Sequence, residues 1–201
     1  MSITVEHDKR RCEILEKALD VFMDEGFEDT TIQKIADRCG ITRTTLYIYF
    51  RNKKEIFNFS IKQLTGEVER NIQEIRRAAA LNSMEKIIRV LNVIIDKLEG
   101  NRRLLVVILD YLLYLSKSDS DPDQRVRKRT LRLRHILANM VIDGVKAGEF
   151  AAVNVRAVDD LCYGLLESAI FRLVVLRRDT VPELKESLEQ AVRRFCGDSQ
   201  G

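Results

Sequence analysis

The residues best suited to chemistry lie between Thr30 and Glu55, in the stretch TTIQKIADRCGITRTTLYIYFRNKKE. Arg43, Thr44, Thr45, Tyr47, Ile48 and Tyr49 crowd into seven positions, and Lys53 follows one turn later. This set supplies a guanidinium, hydroxyls, aromatic rings, an apolar side chain and an ammonium. Leu46 and Phe50 are four residues apart and share one face of a helix. With Ile35, Ala36 and Ile41 they can close a small core. With Leu46 at zero and about 100° per residue, Thr44 and Ile48 fall at about 160° and 200°, on the far side. Tyr47 and Thr45 flank that outer face. A short helix that turns Arg, Thr, Tyr and one apolar residue away from its core suits the DNA major groove, where base edges offer donors, acceptors and thymine methyls.

Local signals define the elements that hold these residues. A first helix is expected from about Asp8 to Glu25, with Ile14, Leu15, Ala18, Leu19 and Phe22 as its apolar stripe, and residues 1–7 frayed. Gly26 suits a left-handed stop, and Phe27 can fold back onto the stripe. Thr30 or Thr31 caps the second helix, which ends at Cys39 and Gly40. Thr42 caps the third, with Ile41 at the staple position. Asn52 and Glu55 read as a capping box for the fourth. Lys53 and Lys54 in its first turn oppose the helix dipole at a cost of a few tenths of a kcal/mol, which a bound phosphate would reverse. Between Gln33 and Lys54, the cations Lys34, Arg38, Arg43, Arg51, Lys53 and Lys54 face only Asp37, whereas the preceding helix is acidic. The net charge of +3 says little; its concentration on this element says more.

The chain of 201 residues is 45% hydrophobic and 32% charged, with two prolines and nine glycines, and is long enough for a sizeable core. Apolar spacing of three and four persists throughout without strand-like alternation, so the fold class is all-α. The fourth helix should continue to about Ala80. A fifth, capped by Asn82 and Glu85, should reach Gly100, and a sixth should span Arg102 to Ser116. After the loop 118–122 a seventh is expected from Asp123 to about Ala147. Its basic residues Arg125, Arg127, Lys128, Arg129, Arg132 and Arg134 read as a solvated face, with Val126, Leu131, Leu133, Ile136, Leu137 and Met140 inward. The eighth, Val155 to Arg177, is apolar almost all round, which implies a partner subunit as well as its own core. Thr180-Val-Pro-Glu183 opens the ninth. Cys12, Cys39, Cys162 and Cys196 are dispersed and are expected to be reduced structural thiols, with Cys12 the one placed to sense redox state. No secretory leader or membrane-length apolar run is present, so a cytoplasmic location is expected. No nucleophile elbow, zinc-helix motif or phosphate loop occurs, so neither catalysis nor a metal or other cofactor is expected.

TTIQKIADRCGITRTTLYIYFRNKKEIF resembles the DNA-binding domain of TetR/AcrR-type transcriptional regulators, and the match runs over about residues 8–60. The paired Thr, Ile-Ala, Gly-Ile-Thr, Leu-Tyr-x-Tyr-Phe and Asn-Lys carry it. The resemblance implies a three-helix helix-turn-helix domain over 1–52 and a C-terminal antiparallel helical bundle over 53–201 for ligand binding and dimerisation, about nine helices in all. It also implies a homodimer through helices eight and nine, and double-stranded DNA with an inverted-repeat operator as partner. A small-molecule effector would release the DNA and make the protein a repressor. By position, Arg43, Thr44, Thr45 and Tyr47 would meet bases and nearby backbone. Tyr49, Lys53, Thr31 and Gln33 would hold phosphates. The residues themselves add Ile48, outward and apolar, as a candidate for a thymine methyl. Polar groups set in apolar runs are the candidate effector contacts: Asp110, Tyr111, Tyr114, His135, Asn139, Tyr163, Glu167 and Arg172. A pocket of that composition would take a largely hydrophobic effector. The alternative is a DNA-bound protein of the same fold that acts through a protein partner.

Overall fold

The structure, a computed structural model, describes residues 2–117, 124–150 and 153–197, with the side chains of 2–4, 64, 116–117, 124–130 and 195–197 excepted. Among the described residues there are nine helices and no strand. They are α1 (Ser2–Asp29), α2 (Ile32–Cys39), α3 (Arg43–Tyr49), α4 (Lys53–Arg77), α5 (Ser83–Gly100), α6 (Arg102–Lys117), α7 (Gln124–Lys146), α8 (Val155–Val174) and α9 (Pro182–Gly197). The fold is all-α, with an N-terminal helix-turn-helix and a C-terminal helical bundle. The loop 118–122 and most of the basic run on α7 lie outside the described side chains.

Two compact units divide the chain. The first comprises Met1–Glu67 and Val106–Ser118, so it is larger than residues 1–52 and takes in the start of α4 and most of α6. Its core joins Ile14, Leu15, Ala18 and Phe22 of α1 to Ile35, Ala36, Leu46, Phe50, Ile56 and Phe57. Val107, Tyr111 and Leu115 of α6 complete it. The aromatic rings form a cluster: Phe27 lies 4.4 Å from Tyr111 and 5.1 Å from Phe57, and Phe22 lies 4.8 Å from Phe57. Such pairs contribute about 0.5–1.5 kcal/mol each beyond area burial. Helix α1 begins at Ser2, earlier than the frayed reading of residues 1–7, because His7 stacks on Tyr49 at 4.6 Å and gives this turn a partner. At Gly26 (φ 79°, ψ 171°) the helix breaks, and a short turn to Asp29 returns Phe27 to the core.

The second unit, Val68–Leu105 and Asp119–Gly201, is built on Ile87, Val90, Leu91 and Ile95 of α5 against Leu137, Met140 and Val141 of α7 and the inner faces of α8 and α9. The Asn82–Glu85 capping box forms as read, with both limbs present. Helix α4 stops at Arg77, short of Ala80. Leu131 is exposed, contrary to its inward reading. Helix α8 ends at Val174, and Arg177 adopts φ 52° as the chain turns away. Its inner face of Val158, Cys162, Leu166, Ala169 and Leu173 is buried, but Phe171, Val175 and Leu176 are more than half exposed in the protomer. Arg134, read as solvated, instead holds the buried Asp159 through Nε at 2.8 Å and also pairs with Asp160. These hydrogen bonds to Asp159 and then Asp160 push the Arg134 pKa up. Lys185 of α9 bridges Asp96 and Glu99 of α5 at 2.7 Å each. Burial opposes its charge, but the two carboxylates outweigh that and the pKa rises.

Cys12 is exposed, Cys39 and Cys162 are buried, and none of the three is in a disulfide. Burial pushes the Cys39 thiol up, against smaller opposing effects from Lys17, Arg10 and Arg38. Peptide mapping after brief treatment with a thiol reagent should therefore find Cys12 labelled and Cys39 protected until the protein is unfolded. At Gly144 an added Cβ would lie 2.2 Å from the buried ring of Phe150, whose backbone N–H also bonds the Gly144 carbonyl. Gly144→Ala should cost about 1–3 kcal/mol in urea unfolding, since the ring must shift within a packed core.

Candidate nucleic-acid interface

Helices α2 and α3 are short, and caps hold their ends. Thr31 is the N-cap of α2 and accepts from Lys34 N, while Gly40 ends that helix in the left-handed conformation (φ 68°). Buried Thr30 is not the cap; its Oγ1 donates to Gly26 O at 2.6 Å. Thr42 caps α3 and accepts from Thr45 N at 3.1 Å. Leu46 is fully buried below, so the rest of α3 is set with respect to the core. Thr44, Tyr47 and Ile48 then face solvent, and Ile48 is 69% exposed. Arg43 reaches over the Tyr47 ring at 6.0 Å.

Other predicted contacts are more constrained. Thr45 is half-buried, and its hydroxyl lies 2.9 Å from that of Thr42, inside the cap. Tyr49 is half-buried under its stack with His7. Thr31 keeps its hydroxyl proton for an outside acceptor, since the cap uses only the oxygen. Gln33 is exposed and donates to Asp37 at 2.7 Å.

The charge distribution is sharper than the count of cations suggested. Lys34 pairs with Glu25 at 2.7 Å and Arg38 with Asp24 at 3.0 Å, so the acidic end of α1 neutralises both. Lys53 requires a correction. Its ammonium donates to Phe27 O (2.9 Å), Glu28 O (2.7 Å) and Thr30 O (3.0 Å), and sits over the Phe27 ring at 4.9 Å. An ammonium has three N–H donors, and carbonyls occupy all of them. A phosphate reaching this nitrogen must first displace a carbonyl. Among the described residues, the cations of this stretch whose side chains make no ion pair or hydrogen bond are Arg43, Arg51 and Lys54, all exposed. What the sequence does not show is which of its six cations stay available: a cation contributes to a surface only if no neighbour has claimed it. At the start of α4, Glu55 N bonds the Asn52 side chain at 2.9 Å, but the Glu55 carboxylate returns to Arg51 N, not to Asn52 N. The box is therefore displaced by one residue at that limb.

The predicted effector contacts are divided between the two units. Asp110, Tyr111 and Tyr114 belong to the first unit, and His135, Asn139, Tyr163 and Glu167 to the second. Tyr111 is buried in the aromatic cluster, whereas Asp110 and Tyr114 are exposed. His135, Asn139 and Glu167 are exposed on the protomer, because they lie on the outer sides of α7 and α8. Tyr163 is half-buried, with the Arg134 guanidinium 5.4 Å from its ring.

A capped short helix standing on a buried leucine, second in a tight helix pair and with its outer face free, defines a helix-turn-helix DNA-binding protein. The family model described as bacterial regulatory proteins, tetR family, matches residues 14–58. The HTH-type transcriptional regulator YfiR of Bacillus subtilis is 31% identical over 157 residues, which cover 75% of this chain and 73% of that protein. The chain belongs to the TetR family of bacterial transcriptional regulators. The fatty acid metabolism regulator protein of Bacillus subtilis is 25% identical over 160 residues, 79% of this chain and 80% of that one. The crystal structure of the regulator FadR from Bacillus subtilis, in complex with stearoyl-CoA, has the same fold, with a TM-score of 0.71 over 90% of this chain and 96% of that chain at 22% identity. Among the described residues no helix is long and apolar enough to cross a membrane.

The two lysines at the start of α4 should separate cleanly. Lys53→Ala should lower the urea midpoint by the equivalent of about 1–3 kcal/mol, since three carbonyls, two of them in part-buried bonds, lose their donor. Lys54→Ala should leave stability within about 0.5 kcal/mol and reduce the salt slope of DNA binding by about 0.9. Titrations at several salt concentrations, beside denaturant curves, measure both.

Proposed function

We propose that this regulator binds an inverted-repeat operator as a homodimer and acts as a repressor released by a small, largely hydrophobic effector. The observation that carries it is the outer face of α3, where Thr44, Tyr47 and Ile48 stand free above the fully buried Leu46. In this reading Arg43, Thr44, Tyr47 and Ile48 meet base edges. Thr31, Gln33 and Tyr49, with Arg51 and Lys54, meet the sugar–phosphate backbone, and Thr45 fixes the cap. Residues 1–52, joined by Lys54 from the first turn of α4, read DNA, and the rest of 53–201 senses and dimerises.

For dimerisation through α8 and α9, the α8 side is supported by Phe171 and, just past the helix end, Val175 and Leu176, large apolar side chains left exposed on one protomer. The two α3 helices of a dimer must stand about 34 Å apart to enter successive major grooves. An effector that favours a body unable to hold that spacing weakens DNA binding by the same free energy with which DNA weakens the effector. The name of the fatty acid metabolism regulator supports an acyl chain as the hydrophobic part. The protein works in the cytoplasm, on DNA, and without catalysis.

Selection from random duplexes should return an inverted repeat, and a long-chain acyl thioester should release it. Ile48→Ala should relax preference at one base position, by about 1 kcal/mol, while binding to random DNA is nearly unchanged. Equal losses on operator and random DNA would show that Ile48 reads nothing.

A further inference from the structure

Helix α1 begins at Ser2, about three turns before residue 14, where the family model starts. The contacts of those turns lie at the end of α3, within the same unit. His7 stacks on Tyr49 with ring centroids 4.6 Å apart and planes 26° from parallel, a stacked geometry of the kind aromatic pairs favour. Arg11, one turn further on, lies over Phe50 at 5.1 Å and over Phe59 at 4.3 Å. Residues four apart share a helix face. One face of α1 therefore lays two groups in turn on two consecutive residues, Tyr49 and Phe50.

Tyr49 is a residue that needs such support. It is the last of α3, and Phe50 after it is extended (φ −146°, ψ 137°), so no further helical turn follows the ring. The ring packs against the core of the first unit. Among the described residues its hydroxyl has no hydrogen-bond partner, and neither has the exposed imidazole of His7. A side chain free to turn must be ordered when it binds, and that ordering weakens association several-fold. A ring already held by the core and by a stack escapes most of that loss and leaves its hydroxyl as the free end.

We propose that His7 is a positioning residue for DNA binding: its stack on Tyr49 holds the ring so that the hydroxyl meets a phosphate without further ordering. This role rests on the reading of Tyr49 as a contact to the sugar–phosphate backbone. It brings into the interface a part of α1 that lies outside the residues matched by the family model. His7 acts through Tyr49 and needs no contact of its own with the DNA.

A double-mutant cycle on the full chain measures this coupling, with the duplex most enriched by selection from a random pool as the probe. Tyr49→Phe removes the hydroxyl, keeps the ring, and should weaken binding about three- to tenfold. His7→Ala should weaken the wild type about threefold. In the Tyr49→Phe background it should cost nothing more, because no hydroxyl is left to position. His7→Phe keeps a ring to stack and should bind within about twofold of the wild type. A His7→Ala loss of equal size in both backgrounds would overturn the proposal. So would His7→Phe behaving like His7→Ala, which would assign the effect to the imidazole nitrogens. Weaker binding by Tyr49→Phe with none by His7→Ala would remove the role of His7 and leave the phosphate contact standing. Tyr49→Phe binding as tightly as the wild type would instead remove the contact itself, and with it anything for His7 to position.

Discussion

One ammonium group sets the geometry of the reading head. Lys53 Nζ gathers the carbonyls of Phe27, Glu28 and Thr30, three of the backbone acceptors stranded where α1 breaks and α2 has yet to begin. A helix break inside a folded unit exposes carbonyls that no intrahelical donor can reach. Meeting them from the first turn of α4 ties three helices at one point and places a cation where the α4 dipole would oppose it. The Phe27 ring beneath the ammonium and the aromatic cluster around it make the arrangement tolerable. Thr30 reinforces it from the other side by donating to Gly26 O.

The same economy explains the sparse positive charge on the interface. Helix α1 is acidic towards its end because its carboxylates hold α2 in place through Lys34 and Arg38. Those pairs are exposed, and each contributes little alone. Together they orient α2 and leave Arg43, Arg51 and Lys54 as the cations available outside. On the proposed reading, a surface with few free cations that presents Thr44, Tyr47 and Ile48 in the middle gives a larger share of its affinity to base contacts.

Much of this was legible in the residues. The order and number of helices, the Thr42 cap, the Asn82–Glu85 box and the outward turn of Ile48 followed from spacing and capping chemistry, which are local. What the sequence hid was choice of partner. Lys53 looked like a phosphate ligand because its ability to donate is visible and its three carbonyls, more than twenty residues earlier, are not. Arg134 looked solvated among its basic neighbours, yet a buried carboxylate on α8 claims it. Residues 2–7 looked frayed because nothing local shows that His7 finds the Tyr49 ring. The effector candidates are dispersed for a related reason: polar residues in apolar runs mark the boundary of a helix face, and these lie on three helices, α6, α7 and α8, in two units.

Helix α3 has seven residues, about two turns, and such a helix is not stable by itself in water. Its rigidity is borrowed from Leu46 below, the Thr42 hydroxyl at one end and the Phe50 N–H bond to Leu46 O at the other. In the proposed reading, warming that loosens these supports blurs the positions of Tyr47 and Ile48 before the molecule unfolds, while Arg51 and Lys54, rooted beyond α3, keep their place against phosphates. On that reading, discrimination between sequences is the thermally softer property and attachment to DNA the harder one.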